Sequence, residues 1–538
     1  MRKSLSRKDF FVGFALLTAW LATCGLIVPG PGGPAVVAPP PAGGLDFQSP
    51  GPDAPRYRIR FLFEAKADKT LIKGLTLNGA PVASYLVFKN GTSVPPSSPV
   101  GKGVYGVVLD YAWSSGKKYT AVLLFQPEGR SRPSKHEVKG ISPGNGGIPG
   151  GQEGFYRVYT VEEEVGLERK QETCALTLTA PKAEIESASL VIFDGSQAIP
   201  FEVVDKEESR PVEKISGTNP VTMTWKIVLR LDAAPREKRW LLVLKGSNPA
   251  ETPQDIRVSG EGLGKTIRTS NLSIELSPRS GQVNIIESSE PAVRLYNRAG
   301  VIHWNPDVYA NGDWDHSFNW NPPAVFSDRA GGFVYINSRS GPLPHLSDVF
   351  LDIRYSIPAS SSYFLSETRL DFKKDLGVIA VRNDEMVFAK ELFDSLLYRD
   401  KTGGLIKLPL QEMEGAPNGL AHIAPPDVDW VGLVNSARAY GFFSLRVESV
   451  SGNLELPGVF LHKAATCFYA PAEGTYVYWV RPLVYTWADY FTDRLHSFVP
   501  KGSFFYEKNA YGVWRMTEDL PLRLDELVLK LRHPLRIY

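Results

Sequence analysis

The chain has 538 residues, 43% of them hydrophobic, 11% aromatic and 22% charged, which excludes a disordered or fibrous protein and, at roughly 150 residues per domain, allows several cores. With 60 Lys and Arg against 58 Asp and Glu the net charge is +2, and without the basic start of the chain about −1, so there is no field to gather nucleic acid. The 48 Gly and 42 Pro favour a turn-rich, all-β protein.

Arg2, Lys3, Arg7 and Lys8 precede an apolar run from Phe10 to Val28, so residues 1–28 read as a secretory signal or a single anchor helix. Ser6-Arg7-Lys8-Asp9-Phe10-Phe11 resembles a twin-arginine export signal with Lys in place of the second Arg, and Leu21-Ala22-Thr23-Cys24 resembles a lipobox in which Cys24 takes the lipid. The alternative is an uncleaved anchor in which Cys24 only packs. Both place the body outside the cytoplasm, anchored to a membrane or secreted. Residues 29–56 are Pro- and Gly-rich and are expected to form an extended linker.

From Tyr57 the pattern becomes strand-like, with Tyr57 to Phe63, Gly103 to Leu109 and Tyr119 to Leu124 punctuated by the turn dipeptides Asn78-Gly79 and Asn90-Gly91. Residues 57–141 are therefore expected to form an immunoglobulin-like β-sandwich, closed by the Gly-rich stretch from Ser142 to Gly151. A second all-β unit is expected over 154–250, from runs such as Ala188 to Phe193, Thr222 to Leu229 and Trp240 to Leu244. The remainder, 260–538, is longer, aromatic-rich and still strand-like, as in Val349 to Tyr355 and Thr475 to Val480. Asp384 to Leu397 suits a helix and a strand pair equally. Cys174 and Cys467 are free to pair in an oxidising compartment, although two isolated buried thiols are favoured.

Two stretches carry a resemblance. Val161 to Glu172, followed by a strand, Asp194-Gly195 and Ile199-Pro200-Phe201, resembles the small RIFT-type barrel ahead of the catalytic domain in exo-acting rhamnogalacturonan lyases. Asn271 to Leu276, Ser280-Gly281 and the strands after them resemble the start of the galactose-mutarotase-like supersandwich, a large two-sheet fold shared by mutarotases, several polysaccharide lyase families and some glycosidase accessory domains. The resemblance covers about 155 to 510 and rests on strand patterns, so it implies a fold before a reaction.

The densest polar and aromatic segment runs from His303 to Asn321. Indole rings stack on sugar C–H faces while carboxylates and amides bind hydroxyls, so Trp304, Asp307, Trp314 and Trp320 are candidate saccharide contacts, with Arg339, His345 and Arg369 downstream. The competing structural explanation is a loop that packs its Trp residues on a sheet and caps itself. Asp313 and Asp315, alternating with Asn311, offer oxygen ligands to a divalent cation such as calcium, and His303 with His316 offers nitrogen to zinc, yet neither spacing fits a standard motif, and no cofactor is required.

Elimination at a uronic acid needs a cation or amide on the carboxylate, a base for the C5 proton and an acid for the leaving oxygen. Arg382 and Asn383, His303 or His316, and Tyr440 or Tyr511 supply those types. A hydrolase would instead pair Asp313 or Asp315 with Glu385, and Arg382 with Glu385 is equally explicable as a structural salt bridge. The expectation is an exported, membrane-tethered protein that cleaves an acidic, pectin-like poly- or oligosaccharide by β-elimination. The alternatives are a glycoside hydrolase or sugar epimerase on the same scaffold, or a non-catalytic glycan-binding envelope protein.

Overall fold

The computed structural model describes residues 44–538 apart from 49–56, 83–84, 90–91, 96–97, 144–155, 186–189, 196, 210–220, 246–249, 414–418, 457–458, 461–463, 473 and 486–496. The expected signal or anchor at 1–28, with Cys24, and the turn Asn90-Gly91 lie outside the described residues. Among those described, no helix is long and apolar enough to cross a membrane.

The described chain is all-β apart from short helical turns and one longer helix, and it divides into two compact units, 1–154 and 155–538. In the first, a five-stranded antiparallel sheet and a four-stranded one form a β-sandwich. Alternation does the work: Ile59, Phe61 and Phe63 from one sheet and Tyr119, Ala121 and Leu123 from the other are buried, while neighbours such as Glu64 face solvent. Asn78 and Gly79 both take positive φ, the geometry a two-residue hairpin needs between Leu77 and Ala80. Of the linker expected over 29–56, residues 29–43 and 49–56 lie outside the described residues, and Asp46–Gln48 is a strand that pairs with Arg58–Ala65 as Phe47 packs its ring against Trp113 and Tyr119.

The second unit begins with a small body of five plus three strands. Val161, Leu176, Leu178, Ile227, Leu229 and Val243 fill its core. The last residues of the chain return to it: Arg536–Ile537 pairs with Tyr156–Glu162, and Leu535 enters the core. Arg169, wholly buried, ties this closure together through Glu163 at 2.7 Å, Glu172 at 2.8 Å and the carbonyl of His533 at 2.9 Å.

The large body contains a five-stranded sheet from Arg257 to Leu295, a six-stranded sheet and a ten-stranded sheet. One hydrophobic core takes side chains from all three, among them Ile274, Val308, Met386, Phe388, Tyr355, Phe442 and Trp479, so the sheets stack as a large sandwich. Strands β1 (Asp307–Ala310), β2 (Asp313–His316), β3 (Val325–Ala330), β4 (Val334–Pro342), β5 (Val349–Pro358), β6 (Tyr363–Phe372), β7 (Ala380–Ala389), β8 (Tyr440–Asn453), β9 (Tyr476–Tyr485) and β10 (Ser503–Arg515) carry the polar groups considered below. The six-stranded sheet has β2-β1-β7-β9 in neighbouring positions, and the ten-stranded sheet has β3-β4-β5-β6-β10-β8.

Asp384 to Leu397 is not helical. It is β7, a short 3-10 turn at Lys390–Leu392 and the strand Ser395–Arg399. The one long helix is α1 (Leu520–Arg532), which buries Leu520, Leu524 and Val528 against Trp430, Leu445 and Trp514. Cys174 and Cys467 are free and buried in separate clusters, and burial pushes the Cys467 thiol up to about 12.

Candidate functional site

Register assembles the site. Asp307 on β1 lies directly opposite His316 on β2 and opposite Arg382 on β7, so three chemically distinct side chains form one cross-strand row. The β1–β2 hairpin turns at Asn311-Gly312, both with positive φ, which fixes the pairing of Ala310 with Asp313 and hence of Asp307 with His316. Asn311 is thus a turn residue.

A bulge in β7 adds the fourth member. In a regular strand residues i and i+3 face opposite sides, but the register shifts between Asn383 and Met386, with Asp384 at φ 51°, and this brings Arg382 and Glu385 together. Arg382 donates Nε to Asp307 Oδ1 at 3.1 Å and Nη2 to Asp307 Oδ2 at 2.7 Å, and Nη2 also reaches Glu385 Oε2 at 3.1 Å. These bonds use Nε and Nη2 and leave Nη1 without a partner among the described residues. His316 Nδ1 stands 2.8 Å from Asp307 Oδ2, although its N–H is not aligned on that oxygen.

Burial would raise both carboxyls, but the two environments separate them. Arg382 and His316 outweigh burial at Asp307 and hold it below the usual carboxylate range. At Glu385 burial, reinforced by the negative charge of Asp307, outweighs Arg382 and lifts the carboxyl well above its ordinary value. The two carboxyls are thus pushed in opposite directions, the separation from which distinct acid and base roles can be drawn.

Around the charged row lie half-buried aromatics. Arg382 sits 3.6 Å over the Trp314 ring, Trp314 stacks on His316, and Trp304 and Phe318 pack around the same imidazole at 5.8 and 4.7 Å. Asp307, His316 and Glu385 hold their ligand atoms within 4.8 Å of one another, close enough for a metal ion. The donor set suits a divalent cation, but the guanidinium already bridges both carboxylates, so a metal would have to displace it.

The other candidates fall elsewhere. His303, expected as a base, is fully buried; Nδ1 is 2.6 Å from Tyr355 Oη and Nε2 has no partner among the described residues. Burial, with Arg339 nearby, pushes its imidazole down to about 3, so it stays neutral in the core. Asn383 donates to Thr368 Oγ1 at 2.5 Å on the facing sheet. Tyr511 donates to Asp384 at 2.8 Å within a buried network that includes Arg481, and Tyr440 donates to the carbonyl of Leu392 at 2.6 Å. Arg339 donates to Gln282 and the carbonyl of Ser280 beneath the Tyr355 ring, Trp320 is buried with its N–H on the carbonyl of Pro342, and the Arg369 fork is held by Asp371.

Asp313 and Asp315, offered as possible oxygen ligands, are not part of the group whose ligand atoms lie close enough together for an ion among the described residues. Asp313 is exposed and accepts the N–H of Trp314, whereas Asp315 is buried and accepts the backbone N–H of the exposed His345 at 2.6 Å. The sequence suggested Arg382, His316, Trp304 and Trp314 but treated Asp307 as a contact residue and Glu385 as a secondary candidate. Asn305, whose amide donates to Glu385 Oε2 at 3.1 Å and whose Oδ1 has no partner among the described residues, was missed altogether.

No protein-family model matches the chain, and no curated protein does. Solved structures to which it is similar include an alpha-mannosidase from Enterococcus faecalis V583, at 9% identity and TM-score 0.47 over 71% of this chain and 46% of that one. A protein in glycosyl hydrolase family 38 from Enterococcus faecalis follows at 8% identity and 0.46, over 71% and 47%. A galactose mutarotase-like protein from Lactobacillus casei ATCC 334 is similar at 9% identity and 0.30, over 46% and 99%. The chain spans about half the length of the first two. No single one of them is a close match, and the class that the fold itself defines is an all-β protein of stacked antiparallel sheets.

Proposed function

We propose that the chain is an exported carbohydrate-active enzyme that cleaves an acidic, pectin-like polysaccharide by β-elimination at His316, Arg382 and Glu385. The observation that carries this reading is the shared carboxylate: Asp307 holds the Arg382 fork at 2.7 Å and stands 2.8 Å from His316 Nδ1, fixing a cation and a base in one row. Arg382 Nη1 takes the uronate carboxylate, with the Trp314 ring beneath the guanidinium. His316 Nε2 removes the C5 proton; the C4–O bond breaks as the C4–C5 double bond forms, and protonated Glu385 gives its proton to the leaving oxygen. Trp304 and Phe318 stack on the sugar faces.

In this proposal Cys24 carries a lipid, residues 1–28 direct export, and 57–141, 154–250 and 260–538 are separate functional domains with the chemistry in the last. The test is to incubate the full chain with pectic polysaccharide. Ultraviolet absorbance from an unsaturated uronate is expected, and its absence while substrate binds would overturn elimination. A second reading rests on the opposite directions in which Asp307 and Glu385 are shifted: a glycoside hydrolase would release reducing ends without absorbance.

A further inference from the structure

We propose that a groove across the outer face of the ten-stranded sheet is a second saccharide-binding site, selective for a sugar that carries an anionic group held by Arg354. The groove encloses about 380 Å³, the size of a small-molecule site, and is separate from the row around Asp307.

Alternation built it. Along β4, β5 and β6 the residues that face the sandwich interior are buried, and the intervening ones turn outward in two cross-strand rows. One row runs Ser338, Arg354, Glu367, and the other runs Ser340, Asp352, Arg369. Tyr506 on β10 closes the second row.

Most of these charges are spent on neighbours. The Arg369 fork is bound by Asp371 at 2.9 Å, and Glu367 is approached by Lys508 at 3.6 Å and by the Tyr506 hydroxyl at 3.4 Å. Arg354 and Asp352 are different. Both are exposed, and neither has an ion-pair partner among the described residues. Partial burial within the groove and the charge of Asp371 raise the Asp352 carboxyl against the opposing pull of Arg369 and Lys373.

A free guanidinium flanked by serine hydroxyls, a tyrosine and a carboxyl matches a ligand with one anion and many hydroxyls. A neutral sugar would leave Arg354 unused, and a simple anion would leave the hydroxyl row unused. An acidic sugar uses both.

Calorimetric titration of the His316→Ala chain separates this site from turnover. An oligogalacturonate and a sulfated oligosaccharide are titrated beside a neutral galacto-oligosaccharide of equal length. We expect binding of an anionic probe that weakens by about tenfold or more in Arg354→Ala/His316→Ala, the worth of one charge-assisted contact. Arg354→Lys should recover part of it. Binding by only one of the two anionic probes identifies the group recognised. Equal binding of the neutral probe, or titrations unchanged by Arg354→Ala, would overturn the proposal whether or not the chain cleaves a polysaccharide.

Discussion

Asp307 and Arg382 face each other across neighbouring strands as a buried fork-to-carboxylate pair, with N–O distances of 3.1 and 2.7 Å. Both charges are out of water, and the same guanidinium also serves Glu385, so the arrangement is interdependent. Removing the cation leaves a buried anion without compensation. Arg382→Met should therefore destabilise the chain by about 3–5 kcal/mol, and Asp307→Asn in the same chain should recover part of the loss. Urea unfolding of the single and double variants measures both, and a loss that is merely additive would mean that the pair is not coupled.

In the proposed elimination His316 and Glu385 transfer the protons, so His316→Ala should lower turnover of an acidic polysaccharide by about 10²–10⁴-fold with urea midpoint retained. In the proposed elimination Glu385 is the acid, and its carboxyl is raised by burial. Activity should fall as pH rises through that raised value, because the proton for the leaving oxygen is lost. Glu385→Gln should be slow at every pH and lack this alkaline limb. A limb that survives the substitution would assign it to another group.

His303 affects stability with the opposite sign. Its folded value, about 3, lies below the ordinary 6.5, so between the two the unfolded chain binds a proton that the folded chain refuses. Stability contributed by the neutral imidazole is thus complete above the unfolded value and is lost as pH falls. His303→Gln should flatten the pH dependence of unfolding between pH 7 and 4 by a few kcal/mol relative to the parent, as buried histidine linkage predicts. Parallel curves for variant and parent would show that His303 is protonated in the folded chain.

Strand alternation was legible where one face is buried and the other wet, as in Arg58–Ala65 and Val349–Pro358. Asp384 to Leu397 suits a helix and a strand pair equally because the strand in which it begins, Ala380–Ala389, is buried on both faces and shows no alternation. The row around Asp307 could not be read, because nothing local says which residue of Ala380–Ala389 will pair with it; the bulge that turns Glu385 toward Arg382 is a register event. His303 looked catalytic by type, and only burial distinguishes it from His316. The helix at Leu520–Arg532 does carry a signal, Leu520, Leu524 and Val528 at four-residue spacing with a proline in its first turn, but it lies at the end of a long strand-rich region whose pattern masks it.

That helix gives the last prediction. Leu524 is buried against Leu445 and Trp514, and beyond the helix Leu535 enters the core of the small body while Arg536–Ile537 pairs with Tyr156–Glu162. Leu524→Ala should cost about 2–5 kcal/mol through the cavity it leaves. Truncation after Thr517 should do more than remove a helix. It deprives Arg169 of the His533 carbonyl and Glu172 of the Leu535 amide, and it exposes the edge of Tyr156–Glu162. Hydrogen exchange should then quicken in Tyr156–Glu162 and in Arg169–Pro181, more than 300 positions away in sequence, while β4 and β5 keep their protection. Unchanged exchange at Tyr156–Glu162 would show that the small body closes without the C-terminus.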